Sequence, residues 1–161
     1  MFFGCISLKN LDLLNFITSN VESMSSIFEQ CENIISLNIS NFDITKVIEM
    51  SHLFSGCNNW KSLNLSNFNT SNVESFDGMF SNCNSLINLN LDSFQLNNNS
   101  TADQIFTGIS GNLKICINDL NLFDNFYNIS NTSNCSDICI EKDNKLDLNA
   151  NECFNSCIDN G

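Results

Sequence analysis

The sequence repeats with a period of 26 residues through its first two-thirds. The leucines that mark one position in successive units are Leu11, Leu37, Leu63 and Leu89. One full unit reads LNLSNFNTSNVESFDGMFSNCNSLIN, and the unit after it keeps the frame with less detail. A repeat of this length predicts a solenoid, because a single unit cannot bury its apolar face and must pack it against its neighbours. Solenoids present extended surfaces, so an enclosed active site is not expected.

Each unit contains two hydrophobic spacings. The pattern L-x-x-L-x-L predicts a short strand whose alternate side chains point inward, as in Ile34, Leu37 and Ile39. A phenylalanine follows each strand and is predicted to fill the core there: Phe16, Phe42, Phe68 and Phe94. A second apolar stripe has residues at 3, 6, 7 and 10 positions after its first member, which predicts a short amphipathic helix. In the first unit this stripe comprises Val21, Met24, Ile27, Phe28 and Cys31.

These patterns predict an α/β fold, a leucine-rich-repeat-like solenoid of parallel strands and short helices, followed by a small cysteine-stapled tail. The solenoid is expected over residues 1–118, as about four and a half repeats plus a fifth strand. An irregular tail is expected over residues 119–161. Because Phe2 and Cys5 lie one period before Phe28 and Cys31, the chain opens inside a unit, and we expect it to be a piece of a longer protein.

The repeated strings resemble those of the BspA-like leucine-rich-repeat surface proteins. The resemblance is carried by residues 4–8 (GCISL), 65–73 (LSNFNTSNV) and 79–83 (MFSNC), and it covers roughly residues 1 to 107. It implies a secreted or surface-displayed protein of a bacterium or unicellular eukaryote that serves in adhesion or binding. It does not extend to the tail.

The nine cysteines form two groups. The first recurs at the repeat period on the apolar stripe and is predicted to consist of buried free thiols, because parallel Cβ directions do not suit disulfide bonds: Cys5, Cys31, Cys57 and Cys83. The second lies in the tail and is predicted to form disulfides, which are common in surface proteins: Cys116, Cys135, Cys139, Cys153 and Cys157. A metal site and reduced thiols are the alternatives for the tail, and we predict no metal.

Small polar side chains occupy the outward positions of the predicted strands. They would form a flat, wettable sheet face that recognises a ligand through many weak hydrogen bonds, and its candidate binding residues are Asp12, Asn38, Asn64, Asn90, Ser40 and Ser66. The alternative is a solvated face without a ligand. A separate row just after the strands, Asn15, Asn41 and Asn67, is predicted to satisfy backbone groups of the turns.

Charge and composition exclude several classes of function. The net charge of −12 repels phosphate backbones, so nucleic acid is not an expected partner. No run approaches the roughly 18 apolar residues of a membrane span, so no membrane insertion is expected within this segment. The single histidine, His52, is predicted at an exposed helix position, and no motif points to catalysis or a cofactor.

We therefore expect a non-enzymatic binding or adhesion module of an extracellular or cell-surface protein. Its expected partners are proteins or glycans on a host cell or matrix. Two alternatives remain at this point. In the first, the chain is a structural spacer with no ligand of its own. In the second, it is an intracellular interaction scaffold whose tail cysteines are reduced or metal-bound.

Overall fold

A computed structural model describes residues 1–109, 113–116, 145–147 and 152–154 of the chain. The described residues contain short strands and turns, and none of them lies in a helix. In chain order the strands are β1 (Asn10–Leu11), β2 (Ser36–Leu37), β3 (Ser62–Asn64), β4 (Asn88–Asn90), β5 (Lys114–Cys116), β6 (Lys145–Asp147) and β7 (Glu152–Phe154).

The first five strands pair in parallel at the repeat period. β1 pairs with β2 so that Leu11 lies opposite Leu37. β3, β4 and β5 form a second sheet, in which Leu63 lies opposite Leu89 and Leu89 opposite Ile115. The short parallel strands and the fifth strand predicted from the sequence are therefore confirmed. In the tail, β6 and β7 form a separate antiparallel pair.

The predicted helices are wrong, since turns occupy the second apolar stripe of each unit. A helix would direct successive backbone N–H groups to carbonyls four residues earlier in the same unit. Here Ile27 and Cys31 donate to the carbonyls of Met24 and Phe28, three residues earlier, which closes tight turns. The N–H groups of alternate residues donate to carbonyls of the next unit instead. The apolar spacing of the stripe is thus compatible with a chain of turns as well as with a helix.

These alternate N–H groups form a ladder that joins each unit to the next, which we call the turn ladder. From the β1 unit to the β2 unit, Met24, Ser26, Phe28 and Gln30 donate to the carbonyls of Glu49, Ser51, Leu53 and Ser55 over 2.7–3.0 Å. The same four bonds recur from the β2 unit to the β3 unit and from the β3 unit to the β4 unit. Adjacent units are therefore bonded through their turns as well as through their strands.

The turn ladder requires left-handed backbone at two positions in each unit. One row comprises Ser26, His52, Gly78 and Gln104, and the other Gly4, Gln30, Gly56, Asn82 and Gly108, all with φ between 55° and 79°. An added Cβ at Gly78 would also meet the imidazole ring of His52, which would have to move aside. His52 is exposed, as predicted, but it lies in a turn and not on a helix.

Stacked phenylalanine rings run through the core along the direction in which units repeat. The rings of Phe2, Phe28, Phe54, Phe80 and Phe106 follow one another at centroid separations of 5.7–5.9 Å with interplanar angles of 5–17°. Such offset stacking adds to the free energy gained by removing the rings from water. Each unit contributes one ring, so every ring within the stack depends on the units on either side.

The phenylalanines after the strands are buried in all but the first unit. Phe42, Phe68 and Phe94 lie in the core as predicted. The prediction is wrong for Phe16, which is 38% exposed. The ring of Phe2, which precedes the first unit, contacts the ring of Phe16 at a centroid distance of 6.3 Å but does not bury it.

The ladder cysteines of the repeats are free thiols, as predicted. Cys31, Cys57 and Cys83 are buried, and Cys5 is partly exposed. Each buried thiol donates a hydrogen bond to the carbonyl of a phenylalanine in the preceding unit: Cys31 to Phe2, Cys57 to Phe28 and Cys83 to Phe54, with Sγ–O distances of 3.0–3.2 Å. The cysteine row thus bonds one unit to another without covalent links.

We expect the buried thiols to resist alkylation in the native protein. Burial raises the pKa of Cys83 to about 12 and raises the pKa of Cys57 still further. At pH 8 only about one Cys83 side chain in ten thousand is then the reactive thiolate. Peptide-resolved mass spectrometry after iodoacetamide treatment should show Cys57 and Cys83 reacting at least ~100-fold more slowly in buffer than in urea.

The same pKa shift gives the stability a defined pH dependence. The unfolded chain ionises these thiols near their ordinary value of 9.0, before the folded chain does. Their contribution to stability is therefore complete below pH 9 and is lost as the pH rises towards 12.

In the alkylation experiment, fast labelling of Cys83 at pH 8, matching that of partly exposed Cys5, would contradict the buried position of Cys83.

Candidate functional site

The outward side chains of the strands differ in exposure along the row. Asp12, Asn38, Asn64 and Ser40 are exposed and Ser66 is partly exposed, in agreement with their predicted outward position. The prediction is wrong for Asn90, which is only 4% exposed. Asn90 belongs to β4, the middle strand of its sheet. The candidate surface therefore lies on the β1, β2 and β3 units.

The outward Asp and Asn side chains also have a structural role that the sequence analysis missed. Oδ1 of Asp12 accepts the N–H of Leu14 at 3.0 Å, and Oδ1 of Asn38 accepts the N–H of Ser40 at 3.1 Å. Asn64 forms the same turn with Ser66. These bonds end the strands by closing Asx turns. They use Oδ1 of each side chain, and Asn38 and Asn64 are exposed residues.

In the asparagine row after the strands, Asn41 and Asn67 satisfy turn carbonyls, as predicted, and the prediction for Asn15 stays a prediction. Nδ2 of Asn41 donates to the carbonyls of Leu13 and Leu14, and Nδ2 of Asn67 donates to the carbonyl of Ser40 at 3.2 Å. Ser93, which interrupts the row in the sequence, donates to the carbonyl of Ser66 in the same way. This row is therefore occupied by structural hydrogen bonds and is not available for a ligand.

A cleft of about 620 Å³ opens between β2 and β3. Its outer rim carries four of the predicted binding residues: Asn38, Ser40, Asn64 and Ser66. Its floor reaches side chains that belong to the core, including Leu37, Leu63 and Trp60. The lining of the cleft therefore includes core residues as well as outward side chains of the two strands. We call it the β2–β3 cleft.

Trp60 is the largest side chain in the lining of the cleft. The equivalent residues of the neighbouring units are Ile34 and Leu86, both much smaller than an indole. Trp60 is 2% exposed and packs edge-on against Phe54 at a centroid distance of 5.2 Å.

The Trp60 side chain is also incompletely satisfied. Its Nε1 is buried and has no hydrogen-bond acceptor among the described residues. A buried donor without a partner costs about 1–3 kcal/mol. The sequence contained a signal for the β2–β3 cleft. Trp60 is the single tryptophan of the chain, and it occupies a position where other units have leucine or isoleucine.

A shallower depression of about 440 Å³ lies next to the first unit, where Asp12 and Asn38 are among its lining residues. The β2–β3 cleft has no charged side chain in its lining, although the chain carries a net charge of −12. Within the described ranges, no group of three or more His, Cys, Asp or Glu side chains is placed to hold a metal ion. The β2–β3 cleft can therefore contact a ligand through hydrogen bonds of amide and hydroxyl groups and through apolar side chains.

The predicted disulfide residues are only partly placed. Backbone positions of Cys116 and Cys153 lie in β5 and β7. Their side chains, together with Cys135, Cys139 and Cys157, lie outside the part of the chain that the structure describes. In that part, no helix has the length and apolar character to cross a bilayer.

Fold and surface together define a repeat protein whose 26-residue units each contribute one short parallel strand and one run of turns. A family described as "Mycoplasma protein of unknown function, DUF285" matches residues 1–118, and the chain belongs to this family. Comparisons with curated proteins and with solved structures gave no match.

Proposed function

We propose that the chain is a non-enzymatic binding module of an extracellular or cell-surface protein. In this proposal the repeats continue one another as a leucine-rich-repeat-like solenoid, in line with the resemblance to BspA-like proteins. Its partner is a protein or glycan on a host cell or matrix. The observation that carries the proposal is the uncharged β2–β3 cleft in a strongly acidic chain.

The cleft combines the two features expected of a recognition site. Binding sites are concave and largely apolar, with a few placed polar groups that fix orientation. Here Leu37, Leu63 and Trp60 form the apolar floor, and the amides of Asn38 and Asn64 lie at the rim. A face that served solubility alone would gain nothing from an opening into the core or from a buried indole without a partner.

The test uses the double variant Asn38→Asp/Asn64→Asp. Aspartate keeps the Oδ1 acceptor of each Asx turn, as Asp12 does in the first unit, so the fold is retained. It removes two rim N–H donors and adds two negative charges. Binding should be measured by surface plasmon resonance against a panel of extracellular-matrix proteins and neutral glycans. We expect the double variant to lose at least ~10-fold in affinity for whichever panel member binds, since each uncompensated buried polar contact costs about 1–3 kcal/mol.

A matched control is Asn98→Asp, which adds charge at an exposed residue outside the cleft. It should leave binding unchanged. Undiminished binding by the double variant would exclude this face as the site. Absence of binding to the whole panel would favour the second candidate, a spacer, for which the regular turn ladder between units would supply stiffness.

The extracellular assignment has a separate test. If the protein is secreted, mass spectrometry of native material without reductant should find disulfides among the tail cysteines. Fully reduced tail cysteines in native material would favour an intracellular interaction scaffold instead.

A further inference from the structure

Charged and apolar side chains alternate along two exposed rows of the repeat. The first row lies immediately before strands β1, β2 and β3, and we call it the lysine row: Lys9, Ile35 and Lys61. The second lies immediately before the parallel bridges at the start of the turn ladder, and we call it the glutamate row: Glu22, Ile48 and Glu74. The same three successive units contribute one residue each to both rows.

Each row presents an apolar side chain between two like charges. All six residues of the two rows are exposed. The middle residues are 67% exposed at Ile35 and 46% exposed at Ile48. Because apolar surface in water is unfavourable, covering either isoleucine with another apolar group would contribute free energy to association.

The four charged side chains of the rows have no partner within the described ranges of the chain. Neither the ammonium groups of Lys9 and Lys61 nor the carboxylates of Glu22 and Glu74 form an ion pair or a hydrogen bond there. Lys46 differs, since its Nζ donates to Oδ1 of Asn20 at 2.8 Å. The lysine row is therefore a free positive stripe in a chain whose net charge is −12.

The two rows also have matching spacing. Ile48 donates its N–H to the carbonyl of Glu22 at 2.9 Å, and Glu74 donates to the carbonyl of Ile48 at 2.8 Å. In the lysine row, Ile35 donates to the carbonyl of Lys9 at 3.3 Å, and Lys61 follows one unit later. With roughly 4.8 Å between adjacent strands, the two charges of either row are about 10 Å apart along the stack.

We propose that copies of this chain associate side by side, with the lysine row of one molecule against the glutamate row of the next. Matched spacing then places both ammonium groups against carboxylates and Ile35 against Ile48. The two rows are half a repeat apart along the chain, so one molecule offers a different row to each of two neighbours. A contact between two different patches produces rings or open rows of molecules and not a symmetric pair.

Sedimentation equilibrium of the 161-residue chain tests the association. The measurement is made at about 0.1 M salt, where a screening length of roughly 10 Å limits repulsion between acidic molecules and spares ion pairs in contact. Exposed ion pairs are individually weak. We therefore expect weak self-association, with a dissociation constant below about 1 mM.

Two charge-reversed variants identify the surfaces. Lys9→Glu/Lys61→Glu makes both rows acidic, and Glu22→Lys/Glu74→Lys makes both rows basic. Either variant alone should lose at least 10-fold in self-association, because like charges then face each other. An equimolar mixture of the two should associate as well as the original chain, since acidic rows of one variant meet basic rows of the other.

The matched control is Glu32→Lys/Asp103→Lys, which changes net charge by the same amount as Glu22→Lys/Glu74→Lys at exposed residues outside the rows. It should not lose self-association, and circular dichroism should show that every variant is folded. A monomeric chain at about 1 mM, or association that neither reversal weakens, would overturn the proposal. So would a mixture of the two reversed variants that fails to associate.

The proposed ligand binding is tested on other residues, Asn38 and Asn64, so a monomeric chain would leave it intact. Because Ile35 also borders the β2–β3 cleft, ligand binding is measured at protein concentrations below those of self-association.

Discussion

Replacement of Phe54 by alanine should lower the free energy of unfolding by about 3–5 kcal/mol. Phe54 is 0% exposed and lies in the middle of the ring stack, between Phe28 and Phe80 at 5.8 and 5.9 Å. It also receives the edge-on contact of Trp60. Truncation removes contacts with three units at once, and rings held by the turn ladder on either side cannot move together to fill the space.

Urea titration followed by circular dichroism and by Trp60 fluorescence measures the loss. Agreement of the two signals is needed because repeat proteins can unfold in parts. The control is Phe3→Ala, since Phe3 is 58% exposed and should change stability by less than about 0.5 kcal/mol. A loss below about 1 kcal/mol for Phe54→Ala would mean that the ring stack is not the core.

Replacement of Thr70 by valine should cost about 2–4 kcal/mol although the two side chains have the same shape. Thr70 is 0% exposed, and its hydroxyl both donates to the carbonyl of Gln95 and accepts the N–H of Gln95, each at 2.8 Å. Valine would leave two backbone groups of the next unit without their partner. A backbone group left without its partner costs about 1–3 kcal/mol, and the exposed position of Gln95 puts each of its two groups near the lower end of that range.

The same titration measures this effect, with Thr45→Val as the control. The hydroxyl of Thr45 donates to Asp43 at 2.7 Å, but both residues are exposed and water can replace the bond. Thr18 makes the equivalent two bonds to the backbone of Asp43, so Thr18→Val should also be destabilising. A neutral Thr70→Val would show that the hydroxyl does not join the units.

The repeat made much of the fold predictable. Because Leu11, Leu37, Leu63 and Leu89 recur at a fixed interval, strands placed side by side in parallel bury the row, and the register follows from the period. Placement of the cysteine row on the apolar stripe likewise predicted buried free thiols. Composition limited the candidate partners through its charge.

The helix prediction failed because apolar spacing does not specify the direction of the backbone N–H groups. Offsets of three and four residues put Met24, Ile27 and Phe28 on one face in a helix and equally in a run of tight turns. The choice depends on the next unit, whose carbonyls are within reach of alternate N–H groups. That neighbour is present only after the units have packed.

The candidate site was predictable as a face but not as a cleft. Alternation along the strands identified Asn38, Asn64, Ser40 and Ser66 as outward, whereas the burial of Asn90 did not follow from the same alternation. The assignment of β2 and β3 to different sheets is a property of the packed units, because the repeat places an equivalent strand in each unit and does not specify where pairing stops.

The sequence by itself determined the period, the parallel register of the strands and the residues that are apolar or charged, because these depend only on composition and spacing along the chain. Tertiary structure decided where each backbone N–H group donates, which outward side chains reach solvent and where the sheet is interrupted. Those features arise from contacts between residues about one repeat apart, and they exist only when one unit lies against the next.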